Sequence, residues 1–160
     1  MWLVTLAFAS DPLPAGAAAL GGSWIWSGGA ADQAARAAAI DRTVAAMPLL
    51  FRPFARARID AAIPIPSAVT LELTDTSVTV GGLSTGWGTP LRYTTPDGAD
   101  EVVTRRLEAG VLVHDGRQDG GSGTESYRLV GPDALEVEIV VESSQLEVPV
   151  RYQLHFRRQR

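Results

Sequence analysis

The chain has 160 residues, of which 46% are hydrophobic and 20% charged, and its formal net charge is −4. This length and hydrophobic content suit a single domain and exclude wholesale disorder. The sequence contains no Cys, Lys or Asn, which excludes disulfides, thiol nucleophiles, cysteine-based metal sites, lysine chemistry and N-glycosylation.

The charge balance argues against a polyanionic partner. All 14 basic residues are arginine, and 18 acidic residues outnumber them. A chain with this balance is a poor candidate for nucleic-acid binding, which depends on many phosphate contacts. Because lysine and asparagine share A/T-rich codons, their joint absence indicates the codon bias of a GC-rich bacterial genome and not a special arginine chemistry.

The N-terminal segment, residues 1–20, resembles the end of a secretory signal peptide followed by a flexible start. An apolar run over residues 2–9 ends in an A-x-A pattern, and a stretch rich in proline, glycine and alanine follows. We therefore expect export to the periplasm or the exterior, with residues 21–160 as one domain. The alternative is an N-terminal strand or a loose tail. No stretch approaches the roughly 18 apolar residues that a membrane-spanning helix needs.

Two helices are predicted after one short strand. The aromatic segment 22–27 is typical of a strand, and residues 30–47 and 49–61 have the apolar spacing of amphipathic helices. In the first helix, Asp32 and Arg36 are expected to pair on the exposed face. The second helix is expected to pack through one side, formed by Leu50, Phe54 and Ala57.

From Ser67 onward, apolar residues recur with a period of two, as in half-buried strands. Turn signals at near-regular spacing divide this part into seven or eight strands, and the glycine-rich segments 84–88 and 116–123 are predicted to be loops. Sequential short strands favour an antiparallel meander, and closure removes its exposed edges. We therefore predict a mainly β fold, an antiparallel up-and-down barrel of about 8–10 strands, with the helix pair after the first strand capping one end.

Motifs near both ends of the predicted barrel carry a resemblance. Gly22-Ser23-Trp24 matches a G-x-W motif, and Phe156-Arg157-Arg158 is an aromatic-x-Arg ending. With the order of strand, helix pair and meander, the chain resembles the calycin superfamily, the lipocalins and fatty-acid-binding proteins, and also small exported proteins of GC-rich bacteria. In the calycins a C-terminal arginine stacks on the first-strand tryptophan. The resemblance therefore implies a structural cation–π contact of Trp24 with Arg158, or with Arg157 in another register.

One feature differs from the fatty-acid-binding proteins. Those proteins commonly hold a ligand carboxylate with an Arg-x-Tyr pair whose side chains both point inward. Here Arg151 adjoins Tyr152, and Tyr127 adjoins Arg128, so the members of each pair face opposite sides of a strand. If the apolar face is the lumen, the tyrosines lie inside and the arginines outside, which argues against a fatty-acid anchor.

A set of side chains on expected inward faces forms the candidate ligand wall. They fit an apolar cavity with a few hydroxyl groups, and they fit equally well a barrel that is filled by its own side chains. The candidate ligand-binding residues are Phe54, Tyr127, Tyr152, Leu154 and Phe156.

The sequence carries no catalytic or metal-binding pattern. His114 and His155 are the only histidines, and no H-x-x-x-H or similar ligand spacing exists. Asp115 follows His114, but neighbours on a strand face opposite ways and cannot act as a dyad. Both histidines are expected at the surface, and no catalytic residue, metal or cofactor is predicted.

Three functions remain open at this point. Strand alternation, capping helices and inward aromatic residues favour an exported barrel that binds a hydrophobic or amphipathic small molecule in its lumen. The alternative is a packed barrel that acts as a structural or protein-interaction module without a ligand. The third is a barrel enzyme of the cyclase or isomerase type, which shapes its substrate with tyrosine, arginine or glutamate.

Overall fold

The computed structural model describes residues 13, 15–95 and 98–160. The A-x-A pattern lies outside the described residues, and export stays a prediction. In the described part of the chain, no helix is both long enough and apolar enough to cross a membrane. The elements in chain order are α1 (Ala15–Ala18), β1 (Gly22–Trp26), α2 (Gly29–Ala45), a 3-10 turn (Leu49–Phe51), α3 (Arg52–Ala62), β2 (Ala68–Leu73), β3 (Ser77–Val80), β4 (Leu83–Gly86), β5 (Leu91–Thr94), β6 (Asp100–Glu108), β7 (Val111–Gln118), β8 (Gly121–Gly131), β9 (Ala134–Ser143) and β10 (Val150–Arg158).

The ten strands form one antiparallel sheet that curls into a nearly closed barrel, which confirms the fold predicted from the sequence. The strand order is β4-β3-β2-β1-β10-β9-β8-β7-β6-β5, so the first strand pairs with both its successor and the last strand. The order ends at β4 and β5, which border the seam of the barrel. Close to this seam, the backbone N–H of Gly88 donates to the carbonyl oxygen of Arg105 at 2.8 Å.

Alternation of apolar and polar residues decides which face of each strand points inward. In β10 the side chains of Val150, Tyr152, Leu154 and Phe156 are buried, while the residues between them are exposed. The inner face continues on β9, where Ile139 pairs with Tyr152. A sheet with one apolar face that curls on itself therefore encloses a lumen lined by these side chains.

Two segments predicted to be loops lie in strands. Residues 83–86 form β4, and the glycine-rich stretch 116–123 divides between β7 and β8 around a tight turn. Gly120 in that turn has φ of 81°, a backbone conformation that favours glycine. Gly116 and Gly123 pair directly across the two strands. A stretch with the composition of a loop thus places two positions without side chains on the inner face.

The prediction for the packed side of the second helix is wrong. Leu50 and Phe54 are each 76% exposed, whereas Ala55 and Ile59, one turn apart on α3, pack against the core. The helix pair therefore ends in exposed apolar side chains, and we call this group the apolar tip: Leu49, Leu50, Phe51 and Phe54.

Asp32 holds the start of α2 against the barrel. The prediction that it pairs with Arg36 is wrong. Its buried carboxylate accepts hydrogen bonds from Nε1 of Trp26 (2.9 Å) and the backbone N–H of His155 (2.7 Å), and it lies 2.7 Å from Nδ1 of His155. Burial acts to raise the pKa of Asp32, but these hydrogen bonds outweigh it and lower the pKa. Arg36 instead pairs with Asp60 at 2.7 Å, because α3 lies beside α2.

Arg158 makes the contact that the resemblance implied. The β1–β10 register pairs Trp24 directly with Arg158, and the guanidinium carbon lies 4.1 Å from the centre of the indole ring. Nη1 and Nη2 of Arg158 also donate to the carbonyl oxygens of Gly21 (2.8 Å) and Ala19 (2.7 Å). Arg157 is exposed. One side chain therefore ties the last strand to the first strand and to the segment before it.

The segment before β1 packs on the barrel. Ala17 of α1 and Leu20 are fully buried, and the indole N–H of Trp24 donates to the carbonyl oxygen of Leu20 at 3.0 Å. Ala17 and Leu20 therefore contribute to the core, and the domain start at residue 21 stays a prediction.

Candidate functional site

The barrel encloses a partly open cavity of about 1000 Å³. Its wall is formed by residues of β2 to β4 and β6 to β10, by the end of α3 with the segment that follows it, and by the turn between β3 and β4. A barrel filled by its own side chains would leave no such space, so the lumen is hollow. The main apolar lining residues are Tyr127, Val137, Ile139, Val141, Leu154 and Phe156.

Polar side chains occupy the lumen side of β6, β7 and β8. Arg105 lies opposite His114 in the strand register, and His114 lies opposite Glu125, so three neighbouring strands place them at one level of the barrel. We call this group the lumen polar cluster: Glu101, Arg105, His114, Glu125 and Tyr127. All of its members except Arg105 line the cavity.

Arg105 is fully buried and joins β6 to the β3–β4 hairpin across the seam. Its Nη1 donates to the carbonyl oxygens of Leu83 (2.8 Å) and Val78 (3.3 Å), and its Nε donates to Nδ1 of His114 (3.3 Å). Burial and the neighbouring guanidinium lower the pKa of His114 to about 4. The imidazole is therefore neutral at neutral pH, and because Nδ1 accepts, its proton is on Nε2.

Glu125 is a carboxylate inside the lumen. The hydroxyl of Tyr127 donates to its Oε2. Burial raises the pKa of Glu125, and repulsion from Glu101 adds to the rise, while Tyr127 and Arg105 oppose it. Burial and the adjacent Glu125 raise the pKa of Tyr127 well above its usual value, so its hydroxyl keeps its proton.

Glu101 occupies the space that Gly116 leaves. The hydroxyl of Tyr93 donates to Oε2 of Glu101 at 2.5 Å, and burial together with this hydrogen bond raises the pKa of Tyr93 to about 12. A Cβ at position 116 would collide with Oε1 of Glu101, whereas a Cβ at Gly123 would meet no atom within 4 Å. Position 123 therefore faces the open part of the cavity.

Four of the five predicted ligand-wall residues line this cavity. They are Tyr127, Tyr152, Leu154 and Phe156. Phe54 is not a lining residue: it belongs to the exposed apolar tip, because α3 turns its other side to the barrel. Contact of the four lining residues with a ligand stays a prediction.

The prediction of two surface histidines is wrong for His114. Its side chain lines the cavity, because it shares the inward face of β7 with Leu112 and Gly116. His155 lies on the outer face of β10, where its side chain is 51% exposed and bound to Asp32.

Apart from Tyr127, sequence reasoning missed the members of the lumen polar cluster, although Glu125 carried a signal. Once Tyr127 is placed inward, a period of two places Glu125 on the same face. The strand β6 gives no such signal, since Val102 and Val103 lie on opposite faces, as do Arg105 and Arg106. Its alternation therefore could not show which arginine is inside.

No protein-family model and no curated protein matches the chain. Among solved structures, an abundant heat soluble (SAHS) protein from Ramazzottius varieornatus is similar with a TM-score of 0.55 at 9% identity, over 88% of this chain and 96% of that one. A Schistosoma mansoni fatty acid binding protein in complex with arachidonic acid has a TM-score of 0.54 at 12% identity, over 91% of this chain and 99% of that one. Human cRBP IV has a TM-score of 0.52 at 14% identity, over 88% of this chain and 98% of that one. These likenesses show that the chain shares the barrel fold of these proteins, as the resemblance in its sequence motifs predicted.

Proposed function

We propose that this barrel binds a hydrophobic or amphipathic small molecule in its lumen. The observation that carries the proposal is the cavity of about 1000 Å³ on the inner face of the sheet, which lies at the upper end of the roughly 300–1000 Å³ typical of small-molecule sites. The fold adds support, because the similar Schistosoma mansoni protein is in complex with arachidonic acid and a second similar structure is Echinococcus granulosus fatty-acid-binding protein 1, with a TM-score of 0.50.

The lining of the cavity suits a molecule with two unlike ends. Val137, Leu154 and Phe156 provide an apolar surface for a hydrocarbon part. Glu125 and His114 provide an acceptor and a donor for a polar part. Apolar contact supplies the affinity in such a site, and the few polar groups fix the orientation of the ligand.

The test is a fluorescence titration with Nile red, an uncharged apolar dye, on three forms of the protein. Gly123→Leu places a side chain in the open cavity, where a Cβ meets no atom within 4 Å. Ser122→Leu is the matched control, because it adds the same side chain to the outward face of β8, where Ser122 pairs with Glu142. We expect one dye to bind per wild-type and Ser122→Leu chain, with binding weakened about tenfold or more in Gly123→Leu.

Two results would contradict the proposal. The first is a wild-type protein that leaves the dye emission unchanged. The second is equal dye affinity in all three forms, since the dye would then bind outside the lumen.

The displaced pKa values of His114 and Glu125 favour a second candidate, a barrel enzyme of the isomerase or cyclase type. Molecules that displace Nile red are incubated with the protein, recovered, and compared with the starting material by mass and NMR. A product of unchanged mass and altered structure, formed by the wild type and not by Glu125→Gln, supports this candidate. Recovery of unchanged molecules contradicts it.

Export, expected from the A-x-A pattern of residues 7–9, belongs to the proposal as well. The N-terminal sequence of the protein recovered from periplasmic and culture fractions tests it. Recovery of the uncleaved chain in the cytoplasm alone would contradict it.

A further inference from the structure

We propose that the lumen prefers an apolar molecule ending in a primary ammonium group over one ending in a carboxylate; this rests on the proposed function. Three glutamates line the cavity: Glu72 on β2, Glu101 on β6 and Glu125 on β8. Two of them, Glu101 and Glu125, belong to the lumen polar cluster. Glu101 fills the space beside Gly116, whereas Gly123, on the same strand as Glu125, leaves open space. The structure therefore provides carboxylates and adjoining room at Gly123 for the polar end of a ligand.

The hydrogen-bonding capacity of these carboxylates matches a donor and not an acceptor. One oxygen of Glu101 accepts from Tyr93, and one oxygen of Glu125 accepts from Tyr127. An ionised carboxylate accepts several hydrogen bonds, so both groups keep capacity for a further donor. An ammonium group brings three donors and a positive charge, whereas a ligand carboxylate brings neither and would meet two groups of its own charge.

The nearby cations do not line the cavity. Arg105 carries an Nη2 that is buried and has no hydrogen-bond partner in the described part of the chain, and its charge acts to lower the pKa of Glu125, but its side chain is not exposed in the cavity. The charge of Arg36 acts to lower the pKa of Tyr152, against a larger rise caused by burial. The guanidinium of Arg36 donates hydrogen bonds to Asp60 and to the carbonyl oxygen of Ile63. Neither arginine is a lining residue.

The electrostatics of the two glutamates point the same way. Burial, together with repulsion from Glu101, raises the pKa of Glu125, so the ionised form of this carboxylate is costly in the empty lumen. An ammonium group beside it would add a second counter-charge to that of Arg105, from within the cavity and in a site of low dielectric constant. The neutral His114 adds no positive charge that would compete with it.

Displacement of Nile red at neutral pH tests the inference with three probes of equal chain length: dodecylamine, dodecan-1-ol and dodecanoic acid. We expect the amine to displace the dye at a concentration about tenfold or more below that of the acid, because only the ammonium group donates charge-assisted hydrogen bonds to the carboxylates. Glu125→Gln and Glu101→Gln should each reduce the advantage of the amine. Glu142→Gln, an exposed glutamate of β9, is the matched control and should leave it unchanged.

The comparison of amine, alcohol and acid on the wild type stands even if a lumen variant does not fold. Binding of the acid as tight as or tighter than that of the amine would overturn the inference, and so would equal binding of the alcohol and the amine. In either case, binding of Nile red would still support the proposed function. An amine advantage that all three glutamine variants retain would also overturn it. Failure of the dye and every probe to bind would remove the proposed function itself.

Discussion

Replacing Asp32 by alanine should destabilise the protein more than any exposed substitution on α2. The side chain is 2% exposed, and its carboxylate accepts hydrogen bonds from the indole N–H of Trp26 and the backbone N–H of His155. Alanine would leave both donors without their acceptor in a site that the packing of α2 closes. The substitution thus tests whether this one carboxylate anchors the helix pair to the last strand.

The magnitude follows from the two donors and the position of the charge. A buried donor without a partner costs about 1–3 kcal/mol, and loss of a negative charge from the first turn of a helix costs about 0.5 kcal/mol. With two such donors, the sum is about 2.5–6.5 kcal/mol for Asp32→Ala. Asn in the same place keeps an acceptor oxygen for both donors, so Asp32→Asn should cost only about 1–2 kcal/mol.

Urea unfolding at neutral pH measures these losses, with Asp41→Ala as the control on the same helix. The side chain of Asp41 is 57% exposed and pairs with Arg56, and such surface pairs contribute about 0–1 kcal/mol. Because the pKa of Asp32 is lower in the folded state, its contribution is present above the unfolded value near 3.8 and is lost as the pH falls below it. A loss below about 1 kcal/mol for Asp32→Ala, or losses equal to those of Asp41→Ala, would refute the anchoring role.

Three further substitutions follow from the structure. Gly123→Ala should raise the free energy of unfolding by about 0.4–1 kcal/mol, because it removes unfolded-state freedom and its Cβ meets no atom within 4 Å. A loss of stability would contradict the open position. Arg158→Met should lower the free energy of unfolding by about 2–4 kcal/mol, because it removes the contact with Trp24 and two hydrogen bonds to carbonyl oxygens. The control Arg157→Met, at an exposed position, should lower it by about 0.5 kcal/mol. Equal losses would contradict the contact. His114 has a folded pKa of about 4 and an unfolded value near 6.5, so wild-type stability should fall by about 3 kcal/mol as the pH drops through this window. His114→Gln should remove that fall, and an equal decline in both proteins would contradict the buried neutral imidazole.

The sequence predicted the barrel because its strands carry local signals. Alternation along β10 fixes Tyr152, Leu154 and Phe156 on the inner face, and the β1–β10 register places Trp24 against Arg158. These features depend on period and on strand order, both of which can be counted along the chain.

The lumen polar cluster and the helix anchor depend on long-range pairing and could not be found in this way. Asp32 meets His155 across 123 positions of sequence, and its spacing from Arg36 favoured a local pair instead. Arg105 crosses the seam to carbonyl oxygens of another hairpin, which no alternation encodes. The hollow lumen itself depends on the sum of inward side-chain volumes around the barrel. Gly123 leaves open space and Gly116 leaves the space that Glu101 fills, although the composition of this stretch suggested a loop.

The position of a bound molecule is the most direct test of the hollow barrel. Protein with isotope-labelled methyl groups is mixed with unlabelled Nile red, and intermolecular nuclear Overhauser effects are measured. The cavity predicts contacts from the dye to the methyl groups of Val137, Val141 and Leu154, which line the lumen. Contacts confined to Leu49 and Leu50 of the apolar tip, which are each 76% exposed, would place the dye outside and contradict binding in the lumen.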